Sequence, residues 1–167
     1  MRAERALRAL SLQSIRHLHH HTHRQETDLK MEKAVILVVE NEAIIRMSAV
    51  QMVEDAGFSA TEACNADEAI AILENRRDIR AVFTDINMSG SMDGLKLAHA
   101  IRGRWPPIHL VVTSGRTGQN ETNLPANTRF IRKPYAATQV AAALRELFGL
   151  KPAPPVNDNG HRCARIA

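Results

Sequence analysis

The sequence predicts an α/β fold, a doubly wound parallel sheet with helices on both faces, in a single domain. Three observations carry this. Apolar, β-rich runs alternate with helix-period segments through five β/α units in about 120 residues. The first of these runs, Val35–Val39, is aliphatic throughout, which marks a strand covered on both faces. The length of 167 residues, 44% of them hydrophobic, supplies one proper core and leaves little room for a second.

The elements follow in order. After Val35–Val39 a helical segment runs from about Ala43 to Ala56 and is stopped by Gly57. Phe58–Ala63 is a second, weaker strand, and Ala66–Asn75 a second helix. Arg80–Thr84 leads into Asp85 as the third strand, followed by a Gly-containing loop and a helix from Gly94 to about Arg102. Ile108–Thr113 is the fourth strand, Thr128–Ile131 the fifth, and Ala136–Phe148 the last helix. The stretch 115–126, with Gly115, Gly118, Asn120, Asn123 and Pro125, is a poor helix and reads as short or irregular.

This domain occupies residues 31–150, between two ends of different composition. Residues 1–30 form a basic, His-rich extension with a weak amphipathic rhythm, and residues 151–167, opening on Lys151-Pro-Ala-Pro-Pro-Val156, read as a flexible tail. Met31 directly precedes the first strand, so a start of translation there stands beside a genuine extension as an alternative. The net charge is +4, yet 31–150 holds 13 basic and 14 acidic side chains, so the basic excess lies in the ends. The basic ends suggest a nucleic-acid-binding protein as a rival reading; a solvated tail is preferred, and no nucleic-acid partner is expected. The cluster His17, His19, His20, His21 and His23 offers transition-metal binding as a rival to a plain solvated tail, and the tail is preferred because no scaffold holds the imidazoles. Cys64 and Cys163 belong to no metal-ligand spacing and read as reduced thiols. No apolar stretch approaches the roughly 18 residues needed to cross a bilayer, and no secretory signal is visible, so the expectation is a cytoplasmic protein without a membrane partner.

Parallel sheets of this kind bind ligands at the carboxyl ends of their strands. Those ends carry Glu40-Asn41-Glu42, Asp85, Thr113-Ser114 and Lys133-Pro134. Each has an ordinary explanation alone, since charged residues are solvated at strand ends and Thr is a good strand former. Together they put carboxylates, a hydroxyl and an ammonium on one edge.

Four stretches in this order carry a resemblance: Ile36-Leu-Val-Val-Glu-Asn-Glu42; Ala81-Val-Phe-Thr-Asp-Ile-Asn-Met88 with Met92-Asp-Gly-Leu95; Leu110-Val-Val-Thr-Ser114; and Phe130-Ile-Arg-Lys-Pro-Tyr135. The segment from about Lys33 to Leu147 resembles the receiver domain of two-component response regulators. The resemblance implies a flavodoxin-like (βα)5 sheet of strand order 2-1-3-4-5. It implies that Asp85 accepts a phosphoryl group from a phosphohistidine of a sensor histidine kinase or histidine phosphotransfer protein in a phosphorelay. Mg²⁺ would be held by Asp85 directly, by the side chain at position 41, by the backbone carbonyl of Asn87 and, through water, by Glu40. Lys133 would pair with one phosphoryl oxygen, across a cis bond to Pro134, and Thr113 would donate to another. Phe130 holds the place of an aromatic that follows Thr113 in switching, with a simple core role as the alternative. Signalling would run through protein contacts with an unknown downstream protein, or a homodimer, near Ser114–Pro125 and Ala136–Phe148. No output module is visible beyond Leu150, so a stand-alone receiver, not an enzyme beyond accepting its own phosphoryl group, is the expectation.

The chain departs from the family pattern at Asn41, where a second acid normally ligates the metal. An amide oxygen can still serve Mg²⁺, but one charge is missing from a hard-ion site. The rival reading is therefore a degenerate receiver that binds partners regardless of phosphorylation. Ser89 replaces the usual Pro after Met88, and Gly90-Ser91 lengthens the loop. A phosphatase with an aspartyl nucleophile is disfavoured because its second acid would fall at Asn87.

Overall fold

The computed structural model describes residues 34–115 and 123–151. The extension 1–30, most of the tail 151–167 and the centre of the irregular stretch 115–126 lie outside the described residues. Five strands form one parallel sheet: β1 (Val35–Val39), β2 (Ser59–Ala63), β3 (Ile79–Asp85), β4 (His109–Ser114) and β5 (Thr128–Arg132), in the order β2-β1-β3-β4-β5. Four helices are present among the described residues: α1 (Ala43–Asp55), α2 (Ala66–Asn75), α3 (Gly94–Arg104) and α4 (Ala137–Leu147). The expected flavodoxin-like order is found, with element bounds within a residue or two of those read from the sequence.

The differences in bounds have local causes. The α3 helix runs two residues past Arg102 and stops before Pro106-Pro107, with the Trp105 amide closing the last turn on Ile101. Ile108 is absorbed by that turn, its amide donating to the Trp105 carbonyl, so β4 begins at His109. Asn65 and Asp93 cap α2 and α3 by accepting from the amides of Glu68 and Lys96, each at 2.8 Å. Gly57 ends α1 at a φ of +93°, a left-handed conformation that favours glycine.

Alternation along the strands divides the core in two. Val35, Leu37, Val39, Val82, Leu110 and Val112 pack with α2 and α3 on one face. Ile36, Val38, Ala81, Phe83, Val111 and Ile131 pack with α1 and α4 on the other. Because β1, β3 and β4 are covered on both sides, their central residues are apolar without alternation: Val35–Val39 throughout, 81–83 in β3 and 110–112 in β4. Among the described strands the edge strand β2 pairs only with β1, and it is more polar and more exposed than the central strands, with Ala63 buried.

Candidate functional site

The same two-residue period places the polar strand ends. Glu40 extends the row Ile36, Val38; Asp85 extends Ala81, Phe83; Thr113 follows Val111; and Lys133 follows Ile131. All four therefore emerge on the α1/α4 face at the carboxyl edge. Register brings them level, since Asp85 pairs with Thr113 and Thr113 with Ile131.

Asp85 is only 6% exposed, Glu40 4% and Thr113 0%. Lys133 Nζ donates to Asp85 Oδ2 at 2.8 Å and to Glu40 Oε2 at 3.0 Å, so one ammonium compensates two buried carboxylates. Burial works against its charge, but the hydrogen bonds and charges of Asp85 and Glu40 outweigh it and hold the Lys133 pKa above its ordinary value. Glu40 Oε1 accepts from the Glu42 amide at 3.1 Å. Asp85 Oδ1, in contrast, is buried and has no hydrogen-bond partner among the described residues. The Lys133–Pro134 bond is cis.

The Thr113 hydroxyl reaches the Thr84 carbonyl at 3.5 Å, and Thr84 Oγ1 donates to the Asp85 carbonyl at 3.1 Å. Asn41 lies beside this group with its Nδ2 donating to Ser89 Oγ at 3.2 Å. Asn87 is exposed, and its Nδ2 donates to Ser114 Oγ at 3.1 Å. Phe130 stands apart: it packs against the α2/α3 core, on the face opposite Thr113. Sequence reasoning gave no role to Tyr135, which packs beside the site, or to Ser89, which closes on Asn41. It also missed why Gly94 follows Asp93: a Cβ there would collide with the backbone of Asp85.

A hard cation asks for oxygen donors, and the site offers the Asp85, Glu40 and Asn41 side chains with the orphaned Asp85 Oδ1 among them. With Asn41 uncharged, no group of three His, Cys, Asp or Glu able to hold a metal exists among the described residues. The donor types fit Mg²⁺, with one charge fewer than a fully acidic set.

The family model described as the response regulator receiver domain matches residues 36–145. The chain belongs to the response regulator receiver family. The Sensor kinase CckA of Brucella abortus is 32% identical to this receiver over 126 residues, covering 73% of this chain and 13% of CckA. The Nitrogen assimilation regulatory protein NtrX of Azorhizobium caulinodans is 37% identical over 110 residues, covering 63% and 24% respectively. The chain thus spans a quarter or less of the length of these curated relatives. The crystal structure of a response regulator receiver protein from Sinorhizobium medicae WSM419 superposes with a TM-score of 0.66 at 28% identity, covering 71% of this chain and 96% of that one. Among the described residues no helix is long and apolar enough to cross a membrane.

Proposed function

We propose that this receiver accepts a phosphoryl group on Asp85 from a phosphohistidine and signals through contacts that depend on it. The observation that carries the reading is the asymmetry of Asp85, whose Oδ2 is held by Lys133 while its buried Oδ1 has no partner among the described residues. In the transfer a bond forms between a carboxylate oxygen of Asp85 and phosphorus as the phosphorus–nitrogen bond breaks. The bonding pair returns to the imidazole nitrogen of the donor.

Two anions must approach in this step, a repulsion of about 4 kcal/mol per unit-charge pair at 4 Å and an effective dielectric of 20. Lys133 offsets part of it and then follows a phosphoryl oxygen, while Thr113 donates its hydroxyl to another. Mg²⁺, when bound, supplies further charge neutralisation; Asp85, Asn41 and the Asn87 carbonyl would hold it, with Glu40 acting through water. The product adds roughly one to two negative charges and new acceptors, which biases the loops after β3 and β4.

The donor would be a sensor histidine kinase or histidine phosphotransfer protein, docking over the first turns of α1. There Ile44 is 81% and Met47 68% exposed, one turn apart and a few residues beyond Asn41.

Acetyl phosphate with Mg²⁺ followed by intact mass tests the reading. An acid-stable, base-labile adduct of about 80 Da, absent in Asp85→Ala, is expected. No adduct on the wild type favours a degenerate receiver acting independently of phosphorylation, for which Asn41 is the motivating residue.

A further inference from the structure

The turn between β1 and α1 carries Glu40, Asn41 and Glu42, and the helix after it starts without the caps that α2 and α3 have. Glu42 at its N-cap makes no side-chain cap hydrogen bond, and no acidic residue stands in its first turn. Arg46, one turn into the helix, holds the turn instead. Its Nη1 donates to the Glu40 backbone carbonyl at 2.8 Å and its Nε to Glu62 Oε2 on β2 at 3.0 Å. The Arg46 side chain is 17% exposed and that of Glu62 57%.

The sheet explains why the carbonyl takes this donor. β1 and β2 stay in register up to Val39 and Ala63, and the Glu40 amide still donates to the Ala63 carbonyl at 3.2 Å. β2 ends there, and the Glu40 carbonyl accepts from the guanidinium rather than from a further strand amide. A guanidinium is planar, so the bonds from Nε and Nη1 have fixed directions relative to each other. Glu62 sets the plane, and the plane restrains the peptide between Glu40 and Asn41. The Glu40 carboxylate is tied as well, accepting from the Glu42 amide at 3.1 Å and from Lys133 Nζ at 3.0 Å. An ion pair with one exposed partner adds little to stability, so the consequence of the Arg46–Glu62 pair is directional.

We propose that Arg46 is a positioning residue of this site: oriented by Glu62, its guanidinium clamps the Glu40 carbonyl and holds the β1–α1 turn in place for Mg²⁺. The proposal rests on the reading of the Asp85 edge as a site for Mg²⁺.

Arg46→Ala, Glu62→Ala and the double variant test it, with calorimetric titration of Mg²⁺ into proteins that urea unfolding shows to be fully folded. Glu62→Ala alters an exposed side chain and keeps the test available should Arg46→Ala not fold. Arg46→Ala is expected to weaken Mg²⁺ binding roughly tenfold, as loss of a partner that orients a metal ligand does. Glu62→Ala should weaken it about two- to tenfold, the worth of one ordinary hydrogen bond, and should have no further effect once Arg46 is replaced. A second readout needs no metal. Hydrogen exchange of the Glu42 amide, followed by NMR, should quicken in both single variants while the Val82 and Val111 amides of the central strands keep their protection. Wild-type affinity in both single variants overturns the proposal. So does an undiminished effect of Glu62→Ala in the Arg46→Ala background, or Glu42 exchange that changes only in step with the central strands, which would make the pair a matter of stability alone. No Mg²⁺ binding by the wild type overturns the metal reading and the proposal with it, and that failure is distinct because Glu42 exchange still reports whether the clamp holds the turn. The phosphoacceptor reading fails separately, by the absence of adduct from a wild type that binds Mg²⁺.

Discussion

A methyl group on Gly94 would stand 1.8 Å from the carbonyl oxygen of Asp85 and 2.7 Å from its carbonyl carbon. The first residue of α3 is thus seated against the end of β3, and its amide donates to the Ile86 carbonyl at 3.0 Å. The obstacle is backbone, which has no rotamer to give. Gly94→Ala is therefore expected to cost about 3 kcal/mol or more, at or beyond the upper end of ordinary overpacking. Urea unfolding checks this, and labelling of Asp85 should fall in parallel because the strand end must shift. Wild-type stability would mean that α3 can back away from β3 freely.

Asn41→Asp is expected to raise Mg²⁺ affinity roughly tenfold or more. A unit negative charge about 4 Å from a divalent ion is worth roughly 2 kcal/mol even at the dielectric of water. Geometry does not oppose the change: Ser89 now accepts from the Asn41 amide and can donate its hydroxyl to a carboxylate instead. Calorimetric titration of both proteins measures the difference, and equal affinities would end the idea that Asn41 weakens the metal site.

Most of this molecule was legible in the sequence for a physical reason. The buried strands announce themselves by apolar stretches, unbroken in β1 and shorter in β3 and β4, and the polar residues at their carboxyl ends fall at one edge because parallel strands all point the same way. Strand alternation then fixes which of those residues share a face, so Glu40, Asp85, Thr113 and Lys133 were readable as a group. What was not legible depends on loop shape and on side chains meeting across long separations. The bond between Asn41 and Ser89 spans 48 residues and that between Asn87 and Ser114 spans 27. Tyr135 lies within a recognised stretch, yet its edge-on packing against Phe83, 52 residues away in sequence, is a contact that periodicity does not record. For Gly94 a signal existed in the Asp93-Gly94 pair, which reads as a helix cap, while the collision with Asp85 needed the three-dimensional seat.

The exposed apolar pair on α1 separates two kinds of phosphodonor. A small molecule such as acetyl phosphate needs only the pocket around Asp85, whereas a protein donor must cover surface beside it. Replacing Ile44 and Met47 together with Glu is expected to leave acetyl phosphate labelling unchanged and to slow transfer from a phospholabelled histidine kinase roughly tenfold or more, as loss of a central apolar contact does. Equal transfer rates from the kinase would remove α1 from the docking surface.

His109 sets the behaviour of the fold on mild acidification. Its ring packs edge-on against Phe148 at 5.2 Å, and burial, reinforced by the positive charges of Arg102 on α3 and Arg80 on β3, lowers its pKa below the ordinary 6.5. A depressed pKa means that the unfolded chain takes up this proton more readily than the folded one. The stabilisation is thus fully present above the unfolded pKa near 6.5 and is lost as pH falls through the folded value. Urea midpoints should therefore decline from neutral pH into the acid range before most carboxylates titrate. His109→Gln, although less stable at neutral pH through lost ring packing, should show a shallower decline. A parallel pH dependence in the two proteins, or a His109 ring titrating at its ordinary value by NMR, would assign the acid sensitivity elsewhere.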